Sequence, residues 1–98
     1  MIQLDKKHYA IIGQVLKSQI EQHKIYVFGS RAKSMARKFS DLDLFLDGEP
    51  LPYEELSKLK DAFSESDLPY FVDILQKHSL SDEMFESIKK DFVEIKLH

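Results

Sequence analysis

The chain has 98 residues, with 14 Lys+Arg, 17 Asp+Glu and no cysteine. This length predicts one domain, which buries roughly two-thirds of the surface that the unfolded chain exposes. A net charge of −3 argues against a basic nucleic-acid-binding coat, and the lack of cysteine excludes disulfides, thiolate metal sites and a cysteine nucleophile. Without a signal-like N-terminus or a long apolar run, we expect a cytoplasmic protein with no membrane span and no direct nucleic-acid binding.

The first half of the chain predicts a helix, a strand, a short helix and a second strand. Residues 5–22 have helical periodicity, with Asp5 as the N-cap. Residues 25–28 are rich in β formers and stop at Gly29, which predicts a buried strand, and residues 30–38 predict a short basic helix. The apolar face of the first helix consists of Tyr9, Ile12, Val15, Leu16 and Ile20.

Residues 41–47 alternate with the period of a strand. This pattern places Leu42, Leu44 and Leu46 on one face of the strand. The other face then carries Asp41, Asp43, Phe45 and Asp47.

The second half of the chain continues the alternation of helices and strands. A helix is predicted over 53–66, a strand over 70–75, a helix over 81–90 capped by Ser81, and an edge strand over 92–97. The apolar positions of these elements are Tyr53, Leu56, Leu59 and Phe63, then Phe85 and Ile88, then Val93, Ile95 and Leu97. The order predicts an α/β (α+β) fold, in which helices pack on one mixed β-sheet.

Gly29 and Ser30 lie between a predicted strand and a predicted helix. A glycine lets the backbone approach a ligand closely, and a helix N-terminus is a natural seat for phosphate. A plain strand-to-helix turn capped by Ser30 explains the same two residues. The pair is therefore a weak signal by itself.

Three aspartates lie on two of the predicted strands. Asp41 and Asp43 point from the same strand face, where they repel each other unless a cation lies between them. Asp73 lies in an apolar run, where a carboxylate is costly without a partner. If the two strands pair, the three acids could bind two metal ions such as Mg²⁺. A solvated strand face for Asp41 and Asp43, and a water-facing edge position for Asp73, are the alternatives.

Taken together, these features are specific. Gly29-Ser30, ten intervening residues and then Asp41-x-Asp43 resembles the signature of the nucleotidyltransferase superfamily that includes DNA polymerase beta. The segment 29–44 resembles the minimal nucleotidyltransferases, and Asp73 falls where that family places its last metal ligand. The resemblance covers essentially the whole chain.

The resemblance implies a mechanism. Asp41, Asp43 and Asp73 would be catalytic residues that bind two Mg²⁺ ions, and Asp73 would also help to deprotonate an acceptor hydroxyl. The β- and γ-phosphates of ATP would bind at Gly29 and Ser30, with contacts from Arg31 and, as a weaker candidate, Arg37. Pyrophosphate would leave as the hydroxyl attacks the α-phosphorus.

The resemblance also implies a partner. Minimal nucleotidyltransferases are typically paired with a HEPN-domain toxin, to which the transferase is thought to attach AMP on a tyrosine, acting as its antitoxin. The leading hypothesis is therefore a protein adenylyltransferase in a hetero-oligomer. The alternatives are an aminoglycoside-type transferase that acts on a small molecule and a non-catalytic subunit that blocks its partner sterically.

The chain departs from the family pattern at three positions. Lys33-Ser34 replaces the usual Arg-Gly, and Lys38 replaces a proline. The loss of the glycine is expected to alter the turn that ends the short helix. Lys33 and Lys38 are most simply solvated residues, and four histidines show no metal-ligand spacing: His8, His23, His78 and His98.

Overall fold

The computed structural model describes residues 4–20 and 22–96. It contains three helices, four strands and two short 3₁₀ turns within those ranges. The helices are α1 (Lys6–Gln19), α2 (Tyr53–Glu65) and α3 (Asp82–Lys89), and the strands are β1 (Lys24–Phe28), β2 (Leu42–Asp47), β3 (Val72–Gln76) and β4 (Val93–Ile95). The 3₁₀ turns are Gly29–Arg31 and Lys77–Ser79.

The four strands form one mixed sheet in the order β3-β2-β1-β4. β1 pairs antiparallel with β2 and with β4, whereas β2 and β3 are parallel. The parallel pair is connected through α2, as parallel neighbours require a crossover. The predicted mixed sheet with packed helices is confirmed, as is the edge position of β4.

One face of the sheet is covered by α1 and α2. Ile12 and Leu16 of α1, and Leu59 and Phe63 of α2, are buried there. The predicted apolar face of β2 is confirmed, because its three leucines are at most 1% exposed. The same core contains Ile25, Val27, Val72, Ile74 and Ile95.

The opposite face of the sheet carries a small aromatic cluster beneath α3. Phe45 lies 5.5 Å from Phe85 of α3 and 4.9 Å from Phe92, ring centre to ring centre. Tyr26 and Phe28 of β1 also pack against Phe92. Phe45 is therefore buried although it alternates with aspartates. Asp43 points to this same face, two residues before Phe45, and is only partly buried.

Several predicted boundaries and positions need correction. The first helix ends at Gln19 rather than at 22, and Asp5 is at the N-cap, where its side chain accepts no capping hydrogen bond. The third strand begins at Val72 rather than at 70. Tyr53 is 83% exposed instead of facing the core, since it is the first residue of α2. Leu97 lies outside the described residues.

The Ser81 cap is confirmed, because its hydroxyl accepts a hydrogen bond from the Met84 amide at 3.1 Å. Among the described residues, none of the helices has the length and apolar character that crossing a membrane requires.

Substitution of Leu44 is a test of the main hydrophobic core. Leu44 is fully buried at the centre of β2, so replacing it by Ala is expected to lower the free energy of unfolding by about 2–5 kcal/mol. Urea denaturation measures this change. Replacement of the exposed Met84 by Ala is the control, with an expected change of less than about 0.5 kcal/mol. Equal, small changes for the two variants would contradict the proposed core.

Candidate active site

The parallel pairing of β2 and β3 brings two of the three predicted acids side by side. Asp43 and Asp73 are register partners. Paired residues on neighbouring strands point to the same face, about 4.8 Å apart along the sheet. Both residues are partly buried, and Asp41, one residue before β2, is exposed. Two carboxylates thus share one sheet face, with a third at the start of the same strand.

The turn Gly29–Arg31 comes directly after β1 and presses its backbone against Asp43. Phe28, the last residue of β1, is the register partner of Asp43. Gly29 has a φ of +73°, and a Cβ added there would collide with Asp43 Oδ2. Glycine is therefore favoured at position 29 by the backbone conformation, and any larger residue would displace the Asp43 carboxylate. The turn and the acids form one site.

The carboxylates at this site repel one another. Burial, together with repulsion from Asp73 and Asp41, raises the pKa of the Asp43 carboxyl above its ordinary value. Residues 4–20 and 22–96 contain no ready-made group of three metal ligands. Oxygen-rich, mutually repelling carboxylates nevertheless fit a hard divalent cation, which would relieve the repulsion that Asp43 experiences.

The predicted basic helix over 30–38 is wrong. Only Gly29–Arg31 forms a 3₁₀ turn, and residues 32–40 are a loop, here called the basic loop. Ser34 has a φ of +59°, a left-handed conformation that interrupts a right-handed helix. The sequence predicts a phosphate-binding site at the N-terminus of this helix. The structure has only a turn of three residues there, which lacks the dipole of a longer helix.

The structure places the two predicted arginines very differently. Arg37 is exposed on the basic loop. Arg31 is only 4% exposed, and its guanidinium donates hydrogen bonds to the carbonyl oxygens of Ser40 and Lys38. Its Cζ also lies 4.0 Å from the centre of the Tyr70 ring. This placement does not support the predicted contact of Arg31 with a triphosphate.

Tyr70 is the site residue that the sequence did not identify. The sequence pattern places it only at the start of the strand predicted over 70–75. Its contact with Arg31 joins residues 39 positions apart, so no local pattern announces it. A buried arginine requires a carbonyl or aromatic partner, and aromatic residues beside the predicted acids were the one available signal.

Ser34 offers a test of the basic loop. A side chain in the left-handed region costs about 1 kcal/mol, so S34G is expected to raise the free energy of unfolding by about 0.5 kcal/mol after the entropy of glycine is counted. Guanidinium denaturation measures the change. The control S18G, within α1, is expected to be destabilising by about 0.5 kcal/mol. An S34G protein that is as destabilised as S18G would show that position 34 is not left-handed.

Comparison with known proteins identifies this arrangement. The family model "Polymerase beta, Nucleotidyltransferase" matches residues 11–96. The probable protein adenylyltransferase MntA of Haemophilus influenzae is 43% identical over an alignment of 96 residues, which covers 95% of this chain and 84% of that protein.

Solved structures share the fold. A toxin–antitoxin with AMP-PNP superposes with a TM-score of 0.73 at 21% identity, over 92% of this chain and 73% of that one. A mutant MntA–HpeT toxin–antitoxin gives a TM-score of 0.69 at 20% identity, over 98% and 75% of the respective chains. The sheet, the glycine turn and the family match agree, and the chain is a member of the polymerase-beta nucleotidyltransferase family.

Proposed function

We propose that the protein transfers AMP from ATP to a tyrosine hydroxyl of a HEPN-domain toxin, and that it thereby acts as the antitoxin of that partner. The observation that carries the proposal is the pairing of Asp43 with Asp73 beside the glycine turn. The similarity to a probable protein adenylyltransferase supports the type of reaction. The fold shared with toxin–antitoxin structures supports the type of partner.

In this proposal, Asp41, Asp43 and Asp73 would hold two Mg²⁺ ions, which would supply positive charge to neutralise the phosphates and the attacking oxygen. The backbone of Gly29 and the hydroxyl of Ser30 bind the β- and γ-phosphates. Arg37, exposed on the basic loop, is available to pair with the same phosphates. The nucleotide is thus oriented with its α-phosphorus next to the carboxylates.

The acceptor hydroxyl approaches the α-phosphorus opposite the bridging oxygen of the β-phosphate. Asp73 takes the hydroxyl proton as the new oxygen–phosphorus bond forms. The bond to the bridging oxygen breaks, and pyrophosphate leaves. Positioning and charge stabilisation supply most of the rate enhancement in such a reaction, because the protein forms no covalent bond with the substrate. We expect the reaction in the cytoplasm, where ATP and newly made toxin meet.

The test combines the purified protein, ATP labelled on the α-phosphate, Mg²⁺ and the co-expressed HEPN partner. We expect label on the partner and pyrophosphate in solution. Label on an added aminoglycoside but not on the partner would favour the small-molecule alternative. A tight complex that contains no label would favour steric blocking without catalysis. Either of these results would overturn the proposed acceptor.

A further inference from the structure

Arg31 lies between the three parts of the site, which are the glycine turn, the segment that leads into Asp41 and Asp43, and the segment that leads into Asp73. It is the last residue of the turn Gly29–Arg31, and yet its side chain turns away into the protein, where it is almost fully buried. A buried guanidinium is costly unless its donors are used. The contacts that it makes therefore indicate its role.

The first set of contacts fixes the chain just before β2. Arg31 Nε and Nη2 donate to the Ser40 carbonyl at 3.1 and 2.8 Å, and Nη2 also lies 3.3 Å from the Lys38 carbonyl. The Ser40 carbonyl belongs to the peptide group that leads into Asp41. Residues 37–40 are closed by two hydrogen bonds between Arg37 and Ser40, at 2.8 and 3.1 Å. Arg31 thus holds the carbonyl end of a preformed turn whose next residue is Asp41.

The second contact fixes the chain just before β3. The guanidinium stacks on the ring of Tyr70, which is 9% exposed and lies three residues before Asp73. The next residue, Phe71, accepts a hydrogen bond from the Leu42 amide at 2.9 Å, which joins the starts of β2 and β3. One side chain from the glycine turn therefore contacts both segments that lead into the acidic strands.

We propose that Arg31 is a positioning residue, which sets the spacing of the glycine turn, Asp41–Asp43 and Asp73 through its bonds to Ser40 and Lys38 and its stacking on Tyr70. It does not touch the nucleotide. This inference rests on the proposed function, because the acids that it positions are the proposed metal ligands. Lysine cannot replace it, since a single ammonium lacks the flat fork that bonds two carbonyls while stacking on a ring.

The test compares R31K, R31Q, Y70L and Y70F with the wild-type chain. Y70F keeps the ring and loses only a hydroxyl that has no hydrogen-bond partner among the described residues. Mn²⁺ binding in the absence of nucleotide is measured by electron paramagnetic resonance. Adenylyl transfer gives kcat and the KM for ATP, and thermal melting shows that each variant is folded at the assay temperature. K17Q, on the exposed side of α1, controls for the removal of a cation.

We expect the Mn²⁺ dissociation constant to rise, and kcat to fall, about 10- to 100-fold in R31K, R31Q and Y70L. The KM for ATP should change by less than about threefold, because no direct contact with ATP is lost. Y70F should remain much closer to the wild type than Y70L. If R31K does not fold, Y70L tests the same contact from the other side.

Three results would overturn the inference. Wild-type Mn²⁺ affinity in folded R31K and Y70L would show a purely structural role. A large rise in the KM for ATP with unchanged Mn²⁺ affinity would show that Arg31 binds the triphosphate directly. A wild-type protein that binds no Mn²⁺ would refute this inference and the metal-dependent mechanism together, whereas Mn²⁺ binding without transfer to the partner would refute only the proposed acceptor.

Discussion

Replacing Asp43 by Asn is expected to lower adenylyl transfer by about 100- to 1000-fold or more. A neutral amide binds a hard cation more weakly than a carboxylate does, and that cation would supply the positive charge that the developing negative charge at phosphorus requires. Transfer of labelled AMP to the partner measures the loss. D47N is the matched control, since Asp47 lies on the same strand but is exposed at its far end. D47N should retain wild-type transfer. Equal activity of D43N and wild type would contradict the role of Asp43.

The same substitution is expected to stabilise the fold at neutral pH. Because burial and neighbouring carboxylates raise the pKa of Asp43 in the folded state, the native protein binds a proton more readily than the unfolded chain does. The wild-type free energy of unfolding therefore falls as the pH rises from the ordinary pKa of Asp through the raised one. Because Asn does not titrate, the free energy of unfolding of D43N does not contain this pH-dependent decrease.

Denaturation at several pH values, without divalent cations, measures this effect. D43N should be more stable than the wild type at pH 7, and the difference should disappear below the ordinary pKa of Asp, where Asp43 is protonated in both states. A D43N protein that is less stable than the wild type at pH 7 would show that Asp43 makes a favourable interaction in the folded protein.

Replacing Gly29 by Ala is expected to lower transfer at least about 100-fold, because small displacements of reacting groups have effects of that size. The added Cβ would collide with Asp43 Oδ2, and the φ of +73° disfavours alanine. The free energy of unfolding should also fall, by about 1–3 kcal/mol.

Denaturation and the transfer assay test G29A together. G13A, within α1, is the control for the general effect of replacing glycine by alanine. It should keep full transfer and gain about 0.5–1 kcal/mol of stability. A G29A protein with wild-type activity would show that the turn does not press on Asp43.

The sequence is most informative about the elements that position the acids. Alternation in 41–47 predicted which face of β2 is buried, and the strand around Asp73 was placed to within two residues. These predictions succeeded because the leucines that define the pattern are buried on one face of the sheet, so the local period and the tertiary burial agree. The register that pairs Asp43 with Asp73 was a condition of the hypothesis, and the parallel sheet fulfils it.

The sequence is least informative about residues 30–40. The residues there have acceptable helix propensity, but a single left-handed residue, Ser34, prevents the helix. One signal for the loop was available in the sequence. Ser34 stands where the family usually has glycine, and a glycine at a turn often marks a position with positive φ. The proposed role of Arg31 depends on its contact with Tyr70, and only the folded structure brings these two residues together. An arginine directly after a predicted phosphate turn favoured a triphosphate contact, whereas the structure shows its guanidinium against the Ser40 carbonyl and the Tyr70 ring.

Two aromatic residues also differ in burial from what the sequence pattern predicts. Tyr53 fits an apolar stripe of α2, but its side chain is exposed at the first residue of that helix. Phe45 fits a polar strand face, but α3 and Phe92 cover it. In each case the side chain's environment depends on whether another element covers it, which periodicity does not encode.

Intact-mass spectrometry of the HEPN partner, after incubation with this protein, ATP and Mg²⁺, tests the central claim most directly. We expect the wild-type protein to add the mass of one or more adenylyl groups to the partner, and D43N to leave nearly all of the partner unmodified over the same time. A partner whose mass the wild type leaves unchanged, or one that D43N modifies equally well, would contradict that claim.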